Sequence, residues 1–118
     1  MKTIIKKYLS TFGIDISLSH GSILSNPDQY PSYYWGLEGV YTEDFLDLCY
    51  VEGDPIIGID VLIKQNDKYI LSFDSWCYQR KKEESYSSYL INSINEARRY
   101  LCFFSQRNEV LFSFTLLQ

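Results

Sequence analysis

From Ile56 to Ser75 the chain reads IIGIDVLIKQNDKYILSFDS, and its apolar positions recur with the two-residue period of half-buried strands. Ile57, Ile59, Val61 and Ile63 alternate with Gly58, Asp60 and Lys64, with Leu62 as the exception. Tyr69, Leu71 and Phe73 alternate with Ile70, Ser72 and Asp74. The intervening Gln65-Asn66-Asp67-Lys68 is turn chemistry, so the pattern predicts a β-hairpin over 56–75. A two-residue Asn66-Asp67 loop would set Ile63 against Ile70 and Ile59 against Asp74, mixing the faces. A three-residue Asn66-Asp67-Lys68 loop puts Ile63 by Leu71 and Val61 by Phe73 and is therefore expected.

A lone hairpin is marginally stable, so other elements must cover its apolar face. Ile4, Ile5, Tyr8, Leu9 and Phe12 recur at helical spacing over 2–12, with Gly13 as a stop. Ile14 to Leu18 alternates as a short strand, and Ser19 to Ser32 is rich in turn formers and reads as an irregular connection. Thr42 ahead of Glu43-Asp44 has the character of a helix N-cap, with Tyr41, Phe45, Leu48 and Cys49 on one face and Gly53 and Pro55 at the end. A strand from Phe45 to Val51, with Leu46, Leu48 and Tyr50 on one side, competes with that helix. Tyr86, Leu90, Ile94, Ala97, Leu101 and Phe104 form a continuous helical stripe over 86–104, preceded by the solvated charge run Arg80 to Glu84 and followed by a break at Gln106-Arg107-Asn108. Val110, Phe112, Phe114 and Leu116 alternate with Leu111, Ser113, Thr115 and Leu117 in a 109–117 strand that is apolar on both sides, and so central or doubly covered.

These elements define one α+β domain spanning 1–118. A mainly antiparallel sheet, built on the hairpin and the 109–117 strand, packs against the N-terminal helix and the 86–104 helix. At 118 residues, with 46% hydrophobic and 22% charged positions, the chain suffices for one core. The apolar runs are too short for a membrane span, and the start MKTIIKKYLSTFG turns polar before a signal-peptide core develops, so a cytoplasmic protein off the membrane is expected. Cys49, Cys77 and Cys102 lack ligand spacing and read as reduced thiols acting as small core residues; His20 is the single histidine, and no metal or cofactor is expected.

Charge changes the picture more. No lysine or arginine occurs from Tyr8 to Ile63, a stretch that holds Asp15, Asp28, Glu38, Glu43, Asp44, Asp47, Glu52, Asp54 and Asp60. The net charge is -4 and the pI about 4.9, a balance that attracts a basic partner and disfavours direct nucleic-acid binding. His20 has Asp74 and Cys77 as conceivable catalytic partners, but nothing local links them, and no nucleophile elbow or phosphate-binding glycine loop is present. A small enzyme with a tyrosine and carboxylate pocket, or a scaffold domain of a larger assembly, are the alternatives to a recognition protein.

The segment YPSYYWGLEGVYTEDFLDLCYVEGDP, from Tyr30 to Pro55, concentrates Tyr30, Tyr33, Tyr34, Trp35, Tyr41, Phe45 and Tyr50 among those acids. Tyrosine and tryptophan are favoured interface anchors, and flanking charge steers association. Tyr33, Tyr34 and Trp35 are the candidate anchors, and Glu38, Glu43, Asp44, Asp47, Glu52 and Asp54 the candidate charges. In this character the chain resembles the immunity proteins of bacterial toxin systems, especially those of contact-dependent growth inhibition. The resemblance implies a protein that binds a cognate toxin, often a basic nuclease, and blocks its active site without catalysis of its own; the chain alone is expected to be a monomer.

Overall fold

The computed structural model describes residues 2–16, 35–66, 68–104 and 110–117. The irregular connection expected over 19–32, His20, Tyr30, Tyr33, Tyr34 and the break at 106–108 lie outside them. Among the described residues three helices, α1 (Thr3–Phe12), α2 (Thr42–Glu52) and α3 (Tyr86–Leu101), combine with five strands in an α+β domain. The strands are β1 (Ile14–Asp15), β2 (Trp35–Gly36), β3 (Ile56–Gln65), β4 (Lys68–Cys77) and β5 (Val110–Leu116). β3 is the centre of an antiparallel sheet of order β4-β3-β5, and β1 pairs with β2 in a second, two-stranded sheet. Leu37 joins the sheets, exchanging backbone hydrogen bonds with Phe112 at 2.8 Å in each direction.

The hairpin forms with a different register from the one its alternation predicts. Gln65 faces Lys68 and Ile63 faces Ile70, so the turn is the shorter one, with Asn66 in the left-handed region at φ 52°. Leu62 faces Leu71 while Asp60 already faces Ser75, so β4 carries two residues more than β3 across this interval. That irregularity brings Ile59 opposite Trp76 instead of Asp74 and removes the mixing of faces that a regular ladder would impose. A bulge in β3 between Ile56 and Gly58, against β5, likewise turns Ile56 into the core. The bulged backbone is anchored by α3, because the Ile56 amide donates to the buried Ser93 hydroxyl at 3.3 Å.

Both faces of β3 and β5 are covered. On one, Ile59, Val61, Phe112, Phe114 and Leu116 meet Ile5 and Leu9 of α1, Phe45, Leu46 and Cys49 of α2, and Ile94, Ala97 and Leu101 of α3. Phe45 and Phe114 meet at a ring separation of 4.7 Å. On the other face Leu62 and Leu111 pack with Ile16, which accounts for the position that broke the alternation of β3. β5 is therefore doubly covered although it is not the central strand. Full burial of a side chain of this size contributes about 1.5–3 kcal/mol.

Residues 42–52 are helical, which decides between the two readings of that segment. Thr42 is the first helical residue and not the cap; its hydroxyl donates to the Gly39 carbonyl at 2.7 Å, closing the short 3-10 turn Gly39–Tyr41. Glu43 and Asp44 lie in the first turn, where the helix dipole favours negative charge, and Gly53 ends the helix at φ 75°. α3 is capped by Ser85, whose hydroxyl oxygen accepts from the Ser88 amide at 3.1 Å. Of the three thiols only Cys49 is a core residue; Cys77 and Cys102 are exposed, because each falls at an element end beyond the packed stripe.

Candidate partner-binding surface

α2 carries four of the six candidate charges, Glu43, Asp44, Asp47 and Glu52, and its neighbours decide what they are available to do. Glu43 and Asp47, one turn apart, project toward α3, where the Arg98 guanidinium donates to Glu43 Oε1 at 2.6 Å and to Asp47 Oδ1 at 3.0 Å. At the other end of α2, Lys2 comes within 3.9 Å of the Asp54 carboxylate, and its ammonium also donates to the Glu52 carbonyl. Glu52 and Asp54 are half-buried. Glu38 and Asp44 are exposed and have no ion pair among the described residues.

The aromatic component is reorganised as well. Trp35 is half-buried in β2 and packs against the main core, opposite Asp15 of β1, instead of standing free in a loop. Tyr33 and Tyr34 lie outside the described residues. In their stead α1 supplies partners from outside the acidic stretch. The Tyr8 hydroxyl donates to the Tyr41 carbonyl at 2.7 Å, and the Phe12 ring stacks on Tyr41 at 5.2 Å. Burial first, then the nearby Asp44 carboxylate, then Tyr41, hold the Tyr8 hydroxyl above its ordinary range. Val40, on the same turn, is 77% exposed.

A tyrosine and carboxylate pair does occur elsewhere. Glu84 accepts from the Tyr78 hydroxyl at 2.7 Å, from the Asn92 side-chain amide at 2.6 Å and from the Lys81 backbone amide at 2.9 Å. With Arg80 donating to the Glu84 carbonyl and lying over the Tyr89 ring at 5.1 Å, these contacts brace the loop onto α3. Among the described residues no group of three or more His, Cys, Asp or Glu side chains converges as a metal site, and no helix is long and apolar enough to cross a membrane.

The residues that sequence reasoning missed are Arg98, Lys2, Tyr8 and Phe12. All four lie far along the chain from the acids or aromatics they meet, and the only signal for them was the periodicity that put their helices against the core.

A small α+β domain presenting an acidic helix and an aromatic turn at its surface is the class that the fold and this surface define. The family model described as Immunity protein 40 matches residues 29–116, most of the chain, and the chain belongs to that family. Immunity proteins of this kind serve polymorphic toxin systems, where the family role is neutralisation of a cognate toxin and is generally non-catalytic. No curated protein matches the chain.

Proposed function

We propose that this immunity protein binds the basic surface of its cognate toxin, a nuclease, through the acidic, tyrosine-rich surface between Tyr30 and Asp54. Carboxylates of that surface take the positions that substrate phosphates occupy in a cationic active site, which blocks catalysis by charge mimicry and exclusion. The observation that carries the reading is the absence of any lysine or arginine from Tyr8 to Ile63 in a stretch with nine acids. Its acidic helix α2 lies at the surface, with Glu43, Asp44 and Asp47 all exposed. The protein acts as a monomer, without cofactor, in the cytoplasm of a cell that uses contact-dependent growth inhibition.

The test is to titrate the purified chain into the toxin domain encoded beside its gene and follow nucleic-acid cleavage. Stoichiometric loss of cleavage is expected, with association slowing as salt rises. Undiminished cleavage at saturating protein would sink the reading.

A further inference from the structure

The acids of α2 and its flanks are not equivalent in the folded protein. Glu43 and Asp47 share Arg98, and Asp54 lies beside Lys2. A toxin base approaching those carboxylates must compete with a resident cation. Glu38 and Asp44 meet no such competitor among the described residues, and they flank the turn that carries exposed apolar surface. Val40 is 77% exposed and Phe12 42% exposed, with the Phe12 ring stacked on Tyr41.

We propose that this patch, Phe12, Val40 and Tyr41 between Glu38 and Asp44, is where the cognate toxin docks, with a toxin apolar side chain on Val40 and Phe12 and toxin basic side chains on Glu38 and Asp44. The inference rests on the proposed function and narrows it to one end of α2. An apolar centre rimmed by charge is the arrangement in which a desolvated anchor gives lifetime and the rim gives association rate. The patch is also held in place before binding. The Tyr41 amide donates to the Glu38 carbonyl at 3.0 Å, Tyr8 holds the Tyr41 carbonyl, and Thr42 ties the turn through Gly39. Little conformational entropy is then lost on docking.

The experiment measures binding of the full chain to the inactive toxin domain encoded beside its gene, by surface plasmon resonance at low and high salt. Val40→Lys places a charge on the apolar centre at a solvent-facing position, and a rise in dissociation rate of about tenfold or more is expected. Glu38→Lys should instead slow association severalfold at low salt, with the difference from wild type shrinking at high salt. Leu71→Lys is the control, a side chain 43% exposed in β4, outside the Tyr30 to Asp54 surface and separated from β5 by β3, and should leave both rates unchanged. Unchanged rates in Val40→Lys and Glu38→Lys while the wild type binds would overturn the patch and leave the broader reading standing. An equal loss in Leu71→Lys would also overturn it. Failure of the wild type to bind removes both.

Discussion

Arg98 of α3 donates to the Glu43 carboxylate of α2 at 2.6 Å, although 55 positions separate them in the chain. The same guanidinium reaches Asp47, so one base from the C-terminal half ties two helices together through acids of the base-free stretch. All three side chains retain solvent contact, and exposed pairs of this kind contribute about 0–1 kcal/mol each. Arg98→Ala should therefore lower stability by about 0.5–1 kcal/mol at low salt. Denaturant titration should show the difference narrowing at high salt; a loss that salt leaves unchanged would mean packing of the arginine stem dominates.

Ile94, 3% exposed, is the point where α3 enters the main core. Its truncation to alanine should cost about 2–5 kcal/mol, seen as a lower denaturation midpoint with an unchanged slope. Ile91→Ala, one turn away at a side chain 42% exposed, is expected to stay within about 0.5 kcal/mol of wild type. Equal effects at the two positions would contradict the orientation of α3.

The Tyr78 and Glu84 brace gives stability a pH dependence with a definite sign at each end. Burial, then the hydrogen bond to Glu84, push the Tyr78 hydroxyl up to about 12 from 10.0. The unfolded chain releases this proton near pH 10, where the folded chain still holds it. The contribution is thus whole below pH 10 and lost as pH rises to about 12. Hydrogen bonds from Asn92 first, and then Tyr78, hold the Glu84 carboxyl below its usual range. Its contribution is present above the ordinary carboxylate range and lost as pH falls through the depressed value. Tm measured against pH should show a shallower alkaline limb in Tyr78→Phe and a shallower acid limb in Glu84→Gln, and unchanged limbs would deny the brace a role in stability.

The thiols should divide by place in the fold. Cys49 is buried in the core, and burial, followed by the Asp54 charge, pushes its thiol up, whereas Cys77 and Cys102 are exposed. A thiol-specific reagent should modify Cys77 and Cys102 in the native protein and reach Cys49 only when denaturant opens the core. Rapid native labelling of Cys49, identified by peptide mass spectrometry, would show that α2 opens readily from the sheet.

The sequence by itself determined the α+β class, the hairpin, the two amphipathic helices 2–12 and 86–104, and the doubly apolar last strand. Each is written in a local period: Ile5 and Leu9 recur at helical spacing, as do Ile94, Ala97 and Leu101, while Ile59 and Val61 alternate. Clustering of acids without bases was equally legible, being a property of composition. Segment 42–52 was legible only as two alternatives, since a short apolar run fits either period, and contact of Phe45 and Cys49 with the core selects the helix.

Register and the disposition of charge were decided by the tertiary structure. Alternation cannot distinguish a regular ladder with a longer loop from a tight turn followed by a bulge, because both put Ile59 and Val61 on one face; pairing with Phe112 and Phe114 of β5 favours the second. Which acids remain available is likewise a long-range property. Arg98 and Lys2 reach Glu43, Asp47 and Asp54 only because core packing sets α3 and α1 against α2, while Glu38 and Asp44 stay exposed beside Tyr41. Coulomb attraction acts through space between side chains far apart in sequence, and no local pattern records it.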